Sequence, residues 1–236
     1  MTDSASRFDQ IDIYDDEIPR HVAVYLNTVK TEKNIEVLDR FFQGRTGIRG
    51  LDLGCGTGEY ANSLKSRCPG IIIDGLDSSA KQIENARSKG FDNHFIHASM
   101  LRTEAQSESY DFVYAINSIH HLPSVDAQLA MFREVRRILR PSGIFIIHEI
   151  NTKNPVIKFY VDHIFPRIRN IDDGSEIWLT QERVEQSDFH IKQIDYFTFV
   201  PDFTPKFAMV AAVAMDKAIS RTRFSRFGAH VMYVLQ

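Results

Sequence analysis

Residues 51–60 read Leu-Asp-Leu-Gly-Cys-Gly-Thr-Gly-Glu-Tyr, and no other stretch constrains the chain as strongly. Apolar residues flank an acid, the pattern of a buried strand's end. Gly54, Gly56 and Gly58 then alternate, and a bare backbone permits tight turning and close ligand approach. A strand that enters such a loop and continues as a helix is the nucleotide-binding turn of an open α/β sheet. Asp52 sits two residues before the first glycine. A carboxylate there repels a pyrophosphate and favours a cationic ligand. The spacing also departs from G-x-G-x-x-G, because the last glycine of that pattern falls on Glu59. A ligand-free turn would explain the glycines but not the acid placed before them.

Outside the loop, helical and strand patterns alternate. Residues 19–31 and 33–43 have helical spacing, through Val22, Tyr25 and Leu26 and then Ile35, Leu38, Phe41 and Phe42, with Gly44 and Gly47 closing the pair. Ile48–Leu53 reads as a strand, 58–67 as a helix, and Ile71–Leu76 as a strand apolar enough to be covered on both faces. Ser79–Lys89 is helical, and Phe95–Ala98 and Phe112–Ile116 are strands. Ala127–Leu139 is helical, stopped by Pro141 and Gly143, and Ile144–Ile147 is a strand. The alternation argues for a parallel, doubly wound α/β sheet. Residues 1–17 are acidic and read as a loosely held arm. Residues 154–174 read as an aromatic cap ending in the acidic turn Asp172-Asp173-Gly174. His190–Phe199 and Gly228–Leu235 are β-rich. Helix 203–220 between them is apolar nearly all round, with Lys217, Arg221, Arg223 and Arg226 at or after its end. It reads either as a buried helix packed on the sheet or as an apolar helix with a basic end that rests on a membrane.

Composition adds mild bounds. A chain of 236 residues buries a full core as one domain. The net charge of −3 lacks the basic footprint usual in nucleic-acid binding. Cys55 and Cys68 are the two cysteines, one of them inside the glycine loop, which fits a reduced, cytoplasmic setting. The start of the sequence lacks the basic region and apolar run of a signal peptide. The longest strongly apolar run, Phe207–Met215, has nine residues, against roughly 20 needed to span a bilayer.

Asp52–Gly58 resembles motif I of the class I S-adenosylmethionine (SAM) dependent methyltransferases, acid-x-Gly-x-Gly-x-Gly, and matches it at every position. The resemblance implies a Rossmann-like α/β fold: a doubly wound, seven-stranded, mostly parallel sheet with an antiparallel last strand. It divides one domain, 1–236, into an N-terminal helical lid (1–44), a SAM-binding core (45–150), an inserted cap (151–187) and a C-terminal strand–helix–strand unit (188–236). It implies SAM as cofactor and S-adenosylhomocysteine as product. Asp52, Gly54, Cys55, Gly56 and Gly58 would shape the methionine pocket, with backbone amides bonding its carboxylate. Asp77 closes the second strand about twenty residues past the loop, where an acid accepts from ribose hydroxyls. Ser78 beside it is a further cofactor-binding candidate, although Asp77, Ser78 or Ser79 could instead cap the helix that follows. Asp74 lies mid-strand and is the poorer ribose candidate. Where the family shows Gly-Asp-Ala, this chain has Ala98-Ser99-Met100, so Ser99 and Met100 would frame adenine without an acid. Asn117 would contact the methionyl part, and Tyr25 on the lid would close over the cofactor.

The acceptor side is read from the same resemblance. Asn117 is followed by Ser118, Ile119 and His120, not by the Pro-Pro-aromatic of enzymes that methylate a nucleobase or glutamine amide. Oxygen, carbon, sulfur and simple amine acceptors remain. Histidine, with a pKa near 6.5, suits deprotonation of a phenol-like acceptor, which makes His120 and His121 base candidates; either ring could instead pack under the sheet. The matching pair in quinone O-methyltransferases is Glu-His and can hold a metal; here the pair is His-His, which leaves a metal open but departs from that pattern, and no metal is assigned. Ile147–Pro155 is similar to the Glu-x-Asn-Pro-x-Asn-Pro stretch of a bacterial subgroup. It puts Glu149 at a strand's carboxyl end, as a base or polar contact, or as a cap or arginine partner, with His148 on the opposite face. The subgroup and the aromatic cap point to an oxygen of an apolar or lipid-like small molecule. They leave peripheral membrane contact open and oligomeric state undetermined. The rival functions are a non-catalytic SAM-binding or assembly subunit, an RNA methyltransferase and a nicotinamide oxidoreductase.

Overall fold

The computed structural model of the protein describes residues 18–168 and 175–236. The acidic arm 1–17 and the Asp172-Asp173-Gly174 turn lie outside them. Strands β1 (Arg49–Leu53), β2 (Ile72–Asp77), β3 (His94–His97), β4 (Tyr110–Ile116), β5 (Leu139–Ile150), β6 (Ile191–Phe197) and β7 (His230–Leu235) form one sheet, ordered β3-β2-β1-β4-β5-β7-β6. The pairs among β1 to β5 are parallel, and β7 runs antiparallel to both β5 and β6. The chain winds outward in one direction from β1 to β3 and in the other from β4. Ligands of open α/β sheets bind beyond the carboxyl ends of the strands at such a switch point.

Helices cover both faces: α1 (Arg20–Phe42), α2 (Glu59–Arg67), α3 (Ala80–Ser88), α4 (Val125–Ile138), α5 (Pro155–Phe159), α6 (Gln181–Glu185) and α7 (Met209–Ser220). β4 divides its side chains between the two layers. Val113 and Ala115 join Met131, Phe132 and Val135 of α4. Phe112, Tyr114 and Ile116 join Val37, Leu38 and Phe42 of α1 and Leu64 of α2. Each large apolar side chain fully buried in this way contributes about 1.5–3 kcal/mol.

Three local expectations change. The two N-terminal helices are one continuous helix, because nothing between Thr31 and Lys33 breaks it and Lys30, Thr31 and Asn34 are buried on its inner face. Pro141 and Gly143 do not form a loop after α4; β5 begins at Leu139 directly after it. Leu139 pairs with Tyr110 and Ile144 with Phe112, so 140–143 bulge out of the ladder, where a proline is tolerated. Finally, α7 is not buried against the sheet. Val210 is 83% exposed and Phe207, just before the helix, is 90% exposed; Asp216 is the helix's buried residue.

Two further acids, Asp111 near the amino end of β4 and Asp74 within β2, are structural. Asp111 takes Arg45, Arg140 and the Arg49 amide, which together hold its carboxyl below the usual range despite burial. Asp74 is held by Arg49 (2.6 Å) and by the Tyr110 hydroxyl (2.9 Å). Among the described residues no helix is long and apolar enough to cross a membrane.

Candidate active site

The glycine loop turns between β1 and α2. Gly54 and Gly58 have φ of +83° and +79°, a region that L side chains rarely occupy. A Cβ on Gly54 would lie 2.5 Å from the Ser118 Cβ, and one on Gly58 2.5 Å from the Phe95 ring. The loop's amides are largely committed. Gly54 and Cys55 N–H donate to Leu76 O (2.8 and 2.9 Å), and Gly58 N–H donates to Cys55 O (3.0 Å). The Asp77 carboxylate accepts from the Gly56 amide (2.8 Å) through Oδ2 and from the Ser79 amide (2.9 Å) through Oδ1. Asp77 therefore fastens β2 to the loop, while Ser79 Oγ caps α3 by accepting from the Gln82 amide. The space over Gly56 is open, with nothing within 4 Å of where its Cβ would be.

The other sequence candidates distribute around this turn. The Met100 Sδ-methyl lies 3.5 Å from the Gly54 Cβ position. Ser99 is exposed, with its Oγ accepting from the Leu101 amide. Ser78 is half-buried and its carbonyl bonds His97. Cys55 points into the sheet, its Sγ 2.9 Å from the Gly75 Cβ position, and burial pushes its thiol well up, so its side chain packs rather than reacts. Asp52 is buried at 2% exposure with no hydrogen-bond partner for Oδ2. Burial raises its pKa to about 8. Tyr114, its register partner on β4, opposes that rise but makes no hydrogen bond of full geometry.

Beyond the loop lies a cavity of about 1060 Å³, bounded by α1, Glu59 and Tyr60 at the start of α2, the ends of β4 and β5, the cap and residues 198–203. Asn117 stands between the two. Its φ is +49°, its amide donates to His148 O, and its buried Oδ1 has no partner. His120 borders the cavity at 3% exposure. Its Nδ1 bonds Glu149 Oε2 at 2.6 Å, and Glu149 Oε1 accepts from the Ile119 amide at 3.1 Å. Trp178 packs on the His120 ring at 4.8 Å and donates its indole N–H to Asp162. Glu149 is 1% exposed, away from the cavity, so it fixes the His120 ring and its tautomer. His121 packs 4.1 Å from His120 and does not line the cavity. His148 points to the other sheet face, where it bonds Asn34 at 2.7 Å. Tyr25 also turns away from the cavity, donating its hydroxyl to Asp216 of α7.

Two cavity residues escaped the sequence reading. Lys30, on the inner face of α1, is 1% exposed, and burial lowers its pKa to about 7 despite the Glu149 charge. Its ammonium lies 5.9 Å from the Tyr60 ring. His230, at the start of β7, has an unpartnered Nδ1, and burial holds its pKa well below the usual value. The signal for Lys30 was its spacing: it follows Val22 and Leu26 at steps of four along the buried stripe. Among the described residues no cluster of three His, Cys, Asp or Glu is placed to hold a metal.

A comparison with known families matches part of this site. Residues 51–147 match the family described as "Methyltransferase domain". The chain is 32% identical over 105 residues to the 27-O-demethylrifamycin SV methyltransferase of Amycolatopsis mediterranei, covering 42% of this chain and 37% of that one. It is 34% identical over 130 residues to the demethylmenaquinone methyltransferase of Thermotoga maritima, covering 52% and 56%. The chain thus spans 37% to 56% of these curated relatives. In fold it resembles the PH0226 protein of Pyrococcus horikoshii, at a TM-score of 0.63, 19% identity and 98% coverage of both chains. The matched stretch runs from the glycine loop into β5 and carries Asp52, the loop glycines, Asp77, Asn117 and His120, while Glu149 lies two residues beyond it.

Proposed function

We propose that the protein transfers a methyl group from SAM to an oxygen of an apolar, lipid-like small molecule. The observation that carries the reading is the meeting of two compartments at Asn117: an open glycine turn on one side and a large cavity bordered by His120 on the other. The residues fit the cofactor. Asp52 Oδ2 and Asn117 Oδ1 are buried acceptors without partners, suited to a cationic amino acid. The first turn of α2 offers amides for a carboxylate. Asp77, at the end of β2, accepts from the Gly56 and Ser79 amides and would also accept from a ribose hydroxyl. Ser99 and Met100 frame the adenine side, with Ser78 beside them.

Bound SAM supplies an electrophilic methyl group on a sulfonium. The protein's tasks are to align the acceptor, exclude water and accept a proton. Alignment alone is worth several kcal/mol. Glu149 on Nδ1 makes Nε2 of His120 the nitrogen that takes the acceptor's proton. Leu26, Ile150, Val156 and Val161 supply an apolar wall for the acceptor. An oxygen acceptor agrees with the name of the rifamycin relative, and the cavity's size and apolar wall agree with a bulky acceptor of the bacterial small-molecule or lipid type.

The test is transfer of labelled methyl from SAM into a bacterial extract, followed by separation into organic and aqueous phases. Label in the organic phase is the expected result. Label confined to the aqueous phase removes the lipid-like acceptor. No transfer by a protein that binds SAM favours a non-catalytic subunit.

A further inference from the structure

The face that α7 turns outward is apolar, and Phe203, shortly before the helix, lines the cavity. Inward, Asp216 ties the helix down: it accepts from the Phe199 amide (3.0 Å), the Ser220 hydroxyl (3.2 Å) and Tyr25. Outward, Phe207 and Val210 are 90% and 83% exposed, and Ala211 and Ala214 extend the same stripe by helical steps. Phe203, at 61% exposure, continues the apolar surface to the cavity that it lines. An exposed apolar surface of this extent marks an interaction site.

Charge identifies the partner. Lys206, Lys217, Arg221, Arg223 and Arg226 are all exposed around this stripe or just after it. The one acid between residues 203 and 227 is the buried Asp216. A local excess of cations in a chain of net charge −3, set beside bare aromatic and aliphatic side chains, is the make-up of an interfacial helix on an anionic bilayer. Each such cation near an anionic surface adds to the attraction, and salt screens it.

We infer that α7 and its flanking turns, with Phe207 and Val210 at the centre, dock the protein on anionic lipid bilayers. Docking would bring Phe203, which lines the cavity, to the membrane side. That an acceptor enters from the bilayer rests on the function proposed above; the docking itself does not.

The experiment is sedimentation of the full chain with phosphatidylcholine vesicles and with vesicles that also contain phosphatidylglycerol, at low and high salt. SAM binding is measured in parallel. The wild type is expected to sediment with the anionic vesicles and to be released by salt. The double variant Phe207→Ser/Val210→Ser and the double variant Arg221→Glu/Arg223→Glu are each expected to lose about tenfold or more in vesicle affinity. All four positions are exposed, so the thermal midpoint and SAM binding stay as in the wild type. Equal binding to neutral vesicles, or unchanged binding of either variant, overturns the inference. So does a wild-type dimer that the Phe207→Ser/Val210→Ser variant dissolves, since the face then belongs to a second copy. No SAM binding by a wild type that still binds the anionic vesicles would overturn the proposed function and leave the docking standing.

Discussion

Lys30 is the residue whose removal is expected to stabilise the protein. Burial lowers its pKa from 10.5 to about 7, while in the unfolded chain it titrates at its ordinary value. Between those values the unfolded state holds more protons than the folded one, so stability rises with pH across that window. At about 1.36 kcal/mol per pH unit, keeping the lysine buried costs up to about 4 kcal/mol at pH 7. Raising the pH from about 7 to about 9 removes roughly 2 kcal/mol of that cost. Lys30→Met fills the same space without the charge. It is expected to be the more stable protein at pH 7, and its advantage should shrink by roughly 2 kcal/mol at pH 9. Asp52, which also titrates in this window, is present in both proteins and cancels from the comparison. Urea unfolding of both proteins at the two pH values measures the difference. Parallel pH dependence in wild type and variant would refute the reasoning, because Lys30 would then titrate alike folded and unfolded.

Two further outcomes follow from the site. Asp52, raised to about 8 by burial, must lose its proton to favour a cationic ligand. SAM affinity should therefore climb with pH up to about 8, by nearly tenfold per unit below it, and level off above; Asp52→Asn should flatten that climb in a calorimetric series. His120→Ala should cut turnover by about 10²–10⁴ with SAM affinity unchanged, and Glu149→Gln should leave SAM affinity unchanged while shifting the pH profile of kcat, because Glu149 acts through His120.

The parts of the protein that were legible in the sequence are those whose constraint is local. The acid and glycines of residues 52–58 define a turn by their own backbone needs, and the apolar periods placed β1 through β4 to within a few residues, while β5 starts five residues before the expected strand. Asp77 was legible as the acid at a strand end, but not as the carboxylate that holds the Gly56 amide, because that contact joins residues 21 apart in sequence. The pairing of Glu149 with His120 spans 29 residues and arises from the register of β5 beside β4. Nothing near either residue encodes it. Lys30 and α7 fail in opposite senses. A lysine on an apolar stripe reads as an interruption until the fold closes over it. An apolar helix reads as core until Asp216, its one acid, proves to be the side that faces inward. Tyr25 follows from the same contact, since the residue that binds α7 cannot also face the cavity.

The most direct measurement is a calorimetric titration of SAM into the wild type and into Asp77→Ala. Asp77 holds the Gly56 and Ser79 amides and is the proposed ribose ligand. A hydrogen bond to a charged group is worth about 1.5–3 kcal/mol, so the variant should bind at least about tenfold more weakly. Saturable wild-type binding with that loss is the expected result. No SAM binding by the wild type, or equal affinity in the variant, would contradict the assignment of the glycine turn as the cofactor site.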